Sequence, residues 1–280
     1  MRTPTILATN DDGIDSPLFV ALVRALRPIG RVIVAAPDGE RSWIGKAISR
    51  QKPLLRAVPH DSTFGCPAWS IDGTPADCVN LALGHLVGGR VDLVVSGINM
   101  GSNAGLPLIL ASGTVGGALE GALAGTHAVA SSIRLGKADF ARLKLPDATL
   151  PADVAGVVDA IAARTATLCA EIARRPRPRR PIVHNLNFPP NTTAETPLVR
   201  TTAAHLRVGP LWVPAGEPGT YAFAFSVGDE APSPHLTDRA CIDAGQATHA
   251  ILDFGRLAVT TGAARADALG TADAPRPRIQ

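Results

Sequence analysis

The sequence predicts an α/β protein, a parallel sheet with crossover helices that carries a β-rich C-terminal elaboration. Three observations predict it. Short apolar runs ending in Gly, Asn, Asp or Pro alternate with longer Ala/Leu-rich segments of helical period. The helical segments begin at Ser or Thr, with Pro next in two cases: Ser16-Pro17, Thr74-Pro75 and Ser112. The alternation then changes character after Pro181. In order, the pattern predicts strands at Thr5 to Thr9, Arg31 to Ala36, Val91 to Ser96 and His127 to Ile133, and helices at Ser16 to Pro28, Thr74 to Val87 and Ser112 to Ala124. Ala47 to Val58 and Pro67 to Ile71 predict a strand pair projecting from the sheet, and Ala152 to Arg174 a long helix. Beyond it, Ile182 to Asn185 reads as one more strand, and Leu198 to Val208 and Thr220 to Val227 as β structure between Pro/Gly turns. Ala263 to Gln280 has no periodicity and predicts a disordered tail. The division expected is one domain over residues 1–262, with a core at 1–180 and the elaboration at 181–262.

With 280 residues, 46% of them hydrophobic, the chain can bury a full core. Its net charge of +3, from 27 basic and 24 acidic residues, gives no reason to expect a nucleic-acid duplex as partner. Cys66, Cys78, Cys169 and Cys241 form no Cys-x-x-Cys pair, which argues against a zinc knuckle and predicts free buried thiols. Met1-Arg2-Thr3-Pro4 runs straight into a strand, and no stretch of about 18 uninterrupted apolar residues occurs. A soluble cytoplasmic protein without membrane contact is the expectation.

In an open parallel sheet, ligands bind beyond the carboxyl ends of the strands. Those ends carry Asn10-Asp11-Asp12-Gly13-Ile14, Pro37-Asp38-Gly39-Glu40-Arg41-Ser42, and Ser96-Gly97-Ile98-Asn99-Met100-Gly101-Ser102-Asn103. Adjacent carboxylates at such an edge repel each other and are costly to bury unless a cation or hydrogen-bond donors compensate. Asp11, Asp12, Ser42 and Asn99 offer carboxylate, hydroxyl and amide oxygen, a donor set that suits Mg²⁺ or Mn²⁺ over zinc. By itself Asn-Asp-Asp-Gly is also a common turn, and it is the coincidence with the other strand ends that favours a cation. Ser112-Gly113-Thr114-Val115-Gly116-Gly117 opens a helix with exposed amides and hydroxyls suited to phosphate, although such glycines also serve close helix packing. Neither a Walker loop nor a dinucleotide fingerprint is present.

Other candidates are weaker. No histidines pair at metal-ligand spacing, and His127 at the head of a strand reads as structural. Gly-x-Ser-x-Gly is absent, which removes a nucleophile-elbow hydrolase. Asp72 to Cys78 combines a turn with a helix start, and either caps that helix or braces the site from behind. Arg175-Pro176-Arg177-Pro178-Arg179-Arg180-Pro181 reads as a solvated helix end and linker, with a basic binding patch as the alternative.

Thr9 to Ile14, Ala36 to Ser42, Gly73 to Val79, Ser96 to Asn103 and Ser112 to Gly116 together resemble, in order, the motifs of the SurE family of survival-protein 5′/3′-nucleotidases. Asn185 to Pro189 and Thr237 to Thr260 resemble that family's later segments. The resemblance implies a Rossmann-like phosphatase that uses Mg²⁺ or Mn²⁺ to hydrolyse nucleoside monophosphates and other phosphomonoesters. It implies metal ligands at Asp11, Asp12, Ser42 and Asn99, and phosphate and substrate contacts at Asn103, Ser112, Gly113 and Thr114. It also implies dimers or tetramers formed through the C-terminal elaboration.

Two positions depart from the family pattern: Trp43 stands where glycine is usual, and Ala111 where an aromatic is usual. Both leave the metal ligands intact and alter the pocket wall, which opens the alternative of a non-nucleotide phosphomonoester. The expected chemistry is attack of a metal-activated water in line at phosphorus, with an aspartyl-phosphate route through Asp11 or Asp12 as the alternative. A receiver module would need a phosphoacceptor Asp near Val94 to Asn99, and a haloacid-dehalogenase-like phosphatase would need Asp-x-Asp where Asp11 is followed two positions on by Gly13. A non-enzymatic binding module is the remaining alternative.

Overall fold

The structure is a computed structural model that describes residues 2–60, 64–145, 149–226 and 228–258. The chain runs β1 (Thr5–Thr9), α1 (Pro17–Leu26), β2 (Arg31–Pro37), β3 (Ala57–Pro59), β4 (Ala68–Ile71), α2 (Pro75–Leu81), β5 (Leu93–Met100), α3 (Leu106–Ala111), α4 (Gly113–Leu123), β6 (His127–Ile133), α5 (Lys137–Leu143) and α6 (Ala152–Ala173). It continues with β7 (Ile182–Phe188), β8 (Leu198–Thr201), β9 (Leu206–Arg207), β10 (Trp212–Pro214), β11 (Tyr221–Phe223), β12 (Asp229–Glu230), α7 (Asp238–Asp243) and β13 (Ala247–Asp253).

Nine strands form one sheet in the order β3-β4-β2-β1-β5-β6-β7-β13-β8. The strands from β4 to β7 run parallel; β3 is antiparallel to β4, and β13 to β7. The central strands are apolar on both faces because helices cover both. Side chains alternate along a strand, so Ile6 and Ala8 face α1 and α6, while Leu7 faces α2. Helix α4 lies close on the sheet, since a Cβ added at Gly121 would stand 2.4 Å from the Val94 side chain. Larger residues there would force helix and strand apart.

Several expectations are corrected. Ala47 to Val58 is mostly irregular, and β3 and β4 do not project: β4 pairs with β2 and continues the sheet edge. Ser16 makes no side-chain capping bond, and its buried hydroxyl has no partner among the described residues. Beyond α2 the helix widens into a π-helical turn, Ala82–Leu86. The third parallel strand extends past Ser96 to Met100 across a register shift, and the strand expected at Ile182 to Asn185 extends to Phe188. Of the β structure expected at Leu198 to Val208, β8 joins the main sheet while β9 pairs with β12; β11 pairs with β10 in a separate ribbon. Thr202 and Thr237 meet in a parallel bridge, so the chain between them leaves and rejoins the fold at one place. Residue 227 and the tail at 263–280 lie outside the described residues.

Cys78, Cys169 and Cys241 are buried free thiols, and Cys66 is half-buried. His127 meets the Arg175 carbonyl at 3.2 Å, at the end of the sheet away from the strands' carboxyl termini. In the arginine run, Arg177 donates to the Val91 carbonyl and Arg180 pairs with Asp253, so part of it fastens the chain to the fold. Asp77 and Thr74 form a capping box, and Asp77 also receives the Ser49 amide, which ties the loop after Ser42 to α2. No described helix is long and apolar enough to cross a membrane.

Candidate functional site

Three loops converge beyond the carboxyl ends of β1, β2 and β5. After β1, Asn10 donates its side-chain amide to the Gly13 carbonyl at 2.6 Å and shapes the turn that presents Asp11 and Asp12. Gly13 sits at φ +102°, and a Cβ there would come within 3.1 Å of Gly39. The Asp11 carbonyl receives the Arg41 amide at 2.7 Å, fastening the loop after β2 to the first. Ser42 leaves β2 on that loop, its hydroxyl donating to Glu40. In β5 the register shift between Ser96 and Asn99 re-aims the strand end. Asn99 there donates to the Gly101 carbonyl at 2.6 Å.

Each carboxylate is held on one side. The Thr114 hydroxyl donates to Asp11 at 2.7 Å, and the Met100 amide donates to Asp12 at 2.9 Å. Ser112 caps α4 by accepting the Val115 amide. Gly113 packs against Asp11: an added Cβ would lie 2.8 Å from the Asp11 Cβ and 3.0 Å from the Arg41 carbonyl. Here glycine is required by close approach, and the same contact brings the start of α4 to the carboxylate. Asn103 is buried; its side-chain amide donates to Ser132 at 2.9 Å, with a longer contact of 3.4 Å to Thr114.

Electrostatics mark this pair. Burial, and then the charge of Asp12, push the Asp11 carboxyl up to about 7, against hydrogen bonds from Thr114. Burial pushes Asp12 up to about 6, against the Met100 amide and the Lys144 ammonium. Lys144 stands 2.6 Å from Glu40 and 3.7 Å from Asp12. Glu40 is held below the usual carboxylate range: partial burial works against this, and hydrogen bonds from Lys144 and Ser42 outweigh it. One amine among three carboxylates leaves negative charge in excess. The donor set is therefore two carboxylates, a hydroxyl and an amide, and it fits a hard divalent cation. Among the described residues no group of three or more His, Cys, Asp or Glu is arranged to hold a metal, so an ion at this pair would draw its further ligands from the hydroxyl and amide oxygens.

Asp11, Ser42, Asn99, Asn103 and Ser112 open on one cleft of about 330 Å³. Asp12 opens on an adjoining hollow of about 310 Å³ with Glu40 and Lys144, and Met100 borders both. Thr114 and Gly113 lie beneath, against Asp11. The structure thus gathers the anticipated residues at one sheet edge, with Asp11 bordering the larger cleft and Asp12 the adjoining hollow.

Sequence reasoning did not find Arg134, Phe140, Phe225 and Arg239, which line the larger cleft, or Lys144 in the adjoining hollow. Arg134 had a signal, since it directly follows the strand expected at His127 to Ile133. The others reach the site from α5 and its end, or from the C-terminal segment, where no strand-end rule applies.

Trp43 has φ +58°, a left-handed conformation that is costly for a bulky residue. Its ring packs edge-on against Phe223 and Phe225, with centroids 5.1 and 5.2 Å away. Glycine at 43 would relieve the strain, while alanine would keep it and lose the rings. Trp43→Ala is therefore expected to be less stable than Trp43→Gly by about 1 kcal/mol, as read by urea denaturation; equal stabilities would show that the loop shifts to relieve φ. Ala111 lines the cleft with a methyl group, and its carbonyl receives the Gly45 amide at 2.8 Å.

The Survival protein SurE family model matches residues 6–208. The chain is similar to 5′-nucleotidase SurE 1 of Thermus thermophilus, 52% identical over 129 residues that are 46% of this chain and 50% of that one. It is likewise similar to 5′-nucleotidase SurE of Moorella thermoacetica, 52% identical over 131 residues, 46% of this chain and 49% of the relative. The chain spans about half the length of the curated relatives it matches. In three dimensions it resembles the SurE protein from Aquifex aeolicus, with a TM-score of 0.69 and 27% identity over 89% of this chain and 93% of that one. The paired carboxylates beyond β1, the mostly parallel sheet that presents them and a family match over more than half the sequence agree: the chain belongs to the SurE family.

Proposed function

We propose that this protein is a metal-dependent phosphomonoesterase whose favoured substrates are nucleoside 5′- or 3′-monophosphates. The observation that carries the reading is the buried pair Asp11–Asp12, Asp11 held by Thr114 and Asp12 by the Met100 amide, with both pushed toward neutrality by burial. Such a pair is costly to ionise without a cation and well placed to hold one. Asp11, Asp12, Ser42 and Asn99 would hold Mg²⁺ or Mn²⁺, which when bound draws charge from the phosphate and lowers the pKa of the attacking water.

The chain's own groups do the rest. Thr114 and the Met100 amide orient the two carboxylates. Ser112 lines the cleft at the start of α4 and, with the neighbouring Gly113, would meet an incoming phosphate at the positive end of the helix, while Thr114 holds Asp11. Asn103 adds the amide hydrogen now engaged only at 3.4 Å. Water attacks phosphorus in line, the ester oxygen leaves with a proton, and inorganic phosphate is released. The rigid positions of these donors favour the developing charge on the equatorial oxygens.

The domain reads as one unit over residues 1–262, acting in the cytoplasm as a homodimer or homotetramer. Trp212, Tyr221 and Phe223 are 61%, 60% and 46% exposed, an apolar surface on the C-terminal elaboration that suits a subunit contact. A second reading, a non-nucleotide phosphomonoester as substrate, is favoured by Trp43 and Ala111, which both line the cleft.

The test is phosphate release from nucleotides, sugar phosphates and an aryl phosphate, with Mn²⁺ and with EDTA. Release that EDTA abolishes is expected for at least one class. No metal-dependent release from any would defeat the enzyme reading, and the ranking among classes decides between the two substrate readings.

A further inference from the structure

Two guanidinium groups border the larger cleft, and the hydrolysis outlined above uses neither. Arg134 follows the last residue of β6, and Arg239 enters from α7. They meet on a single carboxylate: Asp243 accepts from Arg239 at 2.6 Å and also from Arg134. Partial burial would raise the Asp243 carboxyl, yet the hydrogen bonds from Arg239 and Arg134 hold it below its usual range, so it stays ionised. Among the described residues neither arginine has another acidic partner. Two positive charges against one negative leave one positive charge facing the cleft, and each guanidinium has donors to spare.

The placement is fixed rather than incidental. Thr237 caps α7 by accepting the Ala240 amide. The next residue, Asp238, receives the Gly105 amide at 3.1 Å and the Ala204 amide at 2.9 Å. Arg239 is thereby tied to the loop that carries Asn103, and its side chain is only 14% exposed. Trp43, Phe140 and Phe225 supply apolar wall in the same cleft. A partly buried cation on a rigid mount beside apolar rings is a built recognition element for an anion.

We infer that the cleft selects phosphomonoesters whose leaving group carries a second anionic group, phosphate or carboxylate, received by Arg134 and Arg239 beyond the wall of Trp43, Phe140 and Phe225. The inference rests on the phosphatase reading of the site. A nucleoside monophosphate leaves the arginine pair with Asp243 alone; a doubly anionic ester gives its surplus charge a partner.

The test compares kcat/KM, in the full chain with Mn²⁺, within two substrate pairs: adenosine 3′,5′-bisphosphate against adenosine 5′-monophosphate, and 4-carboxyphenyl phosphate against phenyl phosphate. The wild type is expected to prefer the doubly anionic member of at least one pair by about tenfold or more, chiefly through KM, with the preference falling as salt rises. Which pair shows it tells phosphate from carboxylate. The ratio should collapse in Arg134→Gln and Arg239→Gln, survive in part in the lysine variants, and rise in Asp243→Asn, which removes the competing carboxylate. Should the glutamine variants fail to fold, the wild-type ratio, its salt dependence and Asp243→Asn decide alone. Equal kcat/KM within both wild-type pairs would overturn the inference. So would a ratio unchanged in every variant, or an equal loss on both members, which would make the arginines a clamp between β6 and α7. If the wild type releases no phosphate from any of the four, the phosphatase reading fails first; release without preference overturns this inference alone.

Discussion

Replacing Asp11 or Asp12 by asparagine is expected to reduce phosphate release by at least about a hundredfold and, in EDTA at pH 7, to raise the melting temperature by a few degrees. The two effects have one cause. Asparagine keeps the shape of the side chain and an oxygen that can accept from Thr114 or from the Met100 amide. It removes a charge that the proposed metal site would need and that the metal-free fold tolerates poorly. Both carboxyls titrate above the ordinary value of 3.8, chiefly because burial penalises the ionised form, so ionisation at pH 7 weakens the fold without a cation. In a chain of this size, about 1 kcal/mol moves the melting temperature by about 2–4 °C. Phosphate release and thermal melts in EDTA measure the two sides. Unchanged activity in both variants would remove the pair from the reaction, and lower melting temperatures in both would show that the charges are held by the protein alone.

The second expectation concerns pH and metal together. With folded values of about 7 and about 6 against 3.8 unfolded, the metal-free fold binds more protons than the unfolded chain between about pH 4 and 7. Its stability therefore falls as pH rises through that window and levels off above it. A metal competes with those protons, so its stabilisation should be slight near pH 4.5 and several degrees near pH 7.5 at saturating Mn²⁺. The quantity to measure is the melting temperature in Mn²⁺ minus that in EDTA. His184 and His249, 2.9 Å apart and buried, are pushed down to about 3 and about 4, first by burial. They stay neutral in the fold while the unfolded chain takes up protons below 6.5, so their contribution is lost as pH falls, opposite to the carboxylates. Subtraction cancels it, because the histidines lie on β7 and β13, away from the acidic loops. A metal-induced shift of the same size at pH 4.5 and 7.5 would mean that the ion binds elsewhere.

Much of the sheet was legible because its inner strands are buried on both faces and carry short apolar runs, as in Ile6 to Ala8 and Val32 to Ala36. Asp11, Ser42 and Asn99 were legible for the complementary reason: polar residues that end such runs must face something other than core. The edges were not. Ala68–Ile71 is short and only partly buried, so nothing in its composition separates a sheet strand from a projecting hairpin. Nor does the sequence say that Ala247–Asp253 will lie antiparallel to β7, a pairing set by where the intervening chain brings it back. Trp43 was visible as a departure, yet its left-handed backbone and its ring partners come from a segment nearly two hundred positions later. Arg239 was hidden for the same reason.

Where Thr202 and Thr237 touch, the chain closes a circuit that the sheet does not sense. An excursion whose two ends already meet can be lengthened, trimmed or transplanted with little cost to what it is mounted on. The excursion here carries Phe225 to the cleft and Phe223 against Trp43, whereas the carboxylates are set by β1 and α4. One panel of the cleft wall is thus carried on a detachable piece of chain, and an engineer can exchange Phe225 by grafting without redrawing the strand and helix that set the carboxylates.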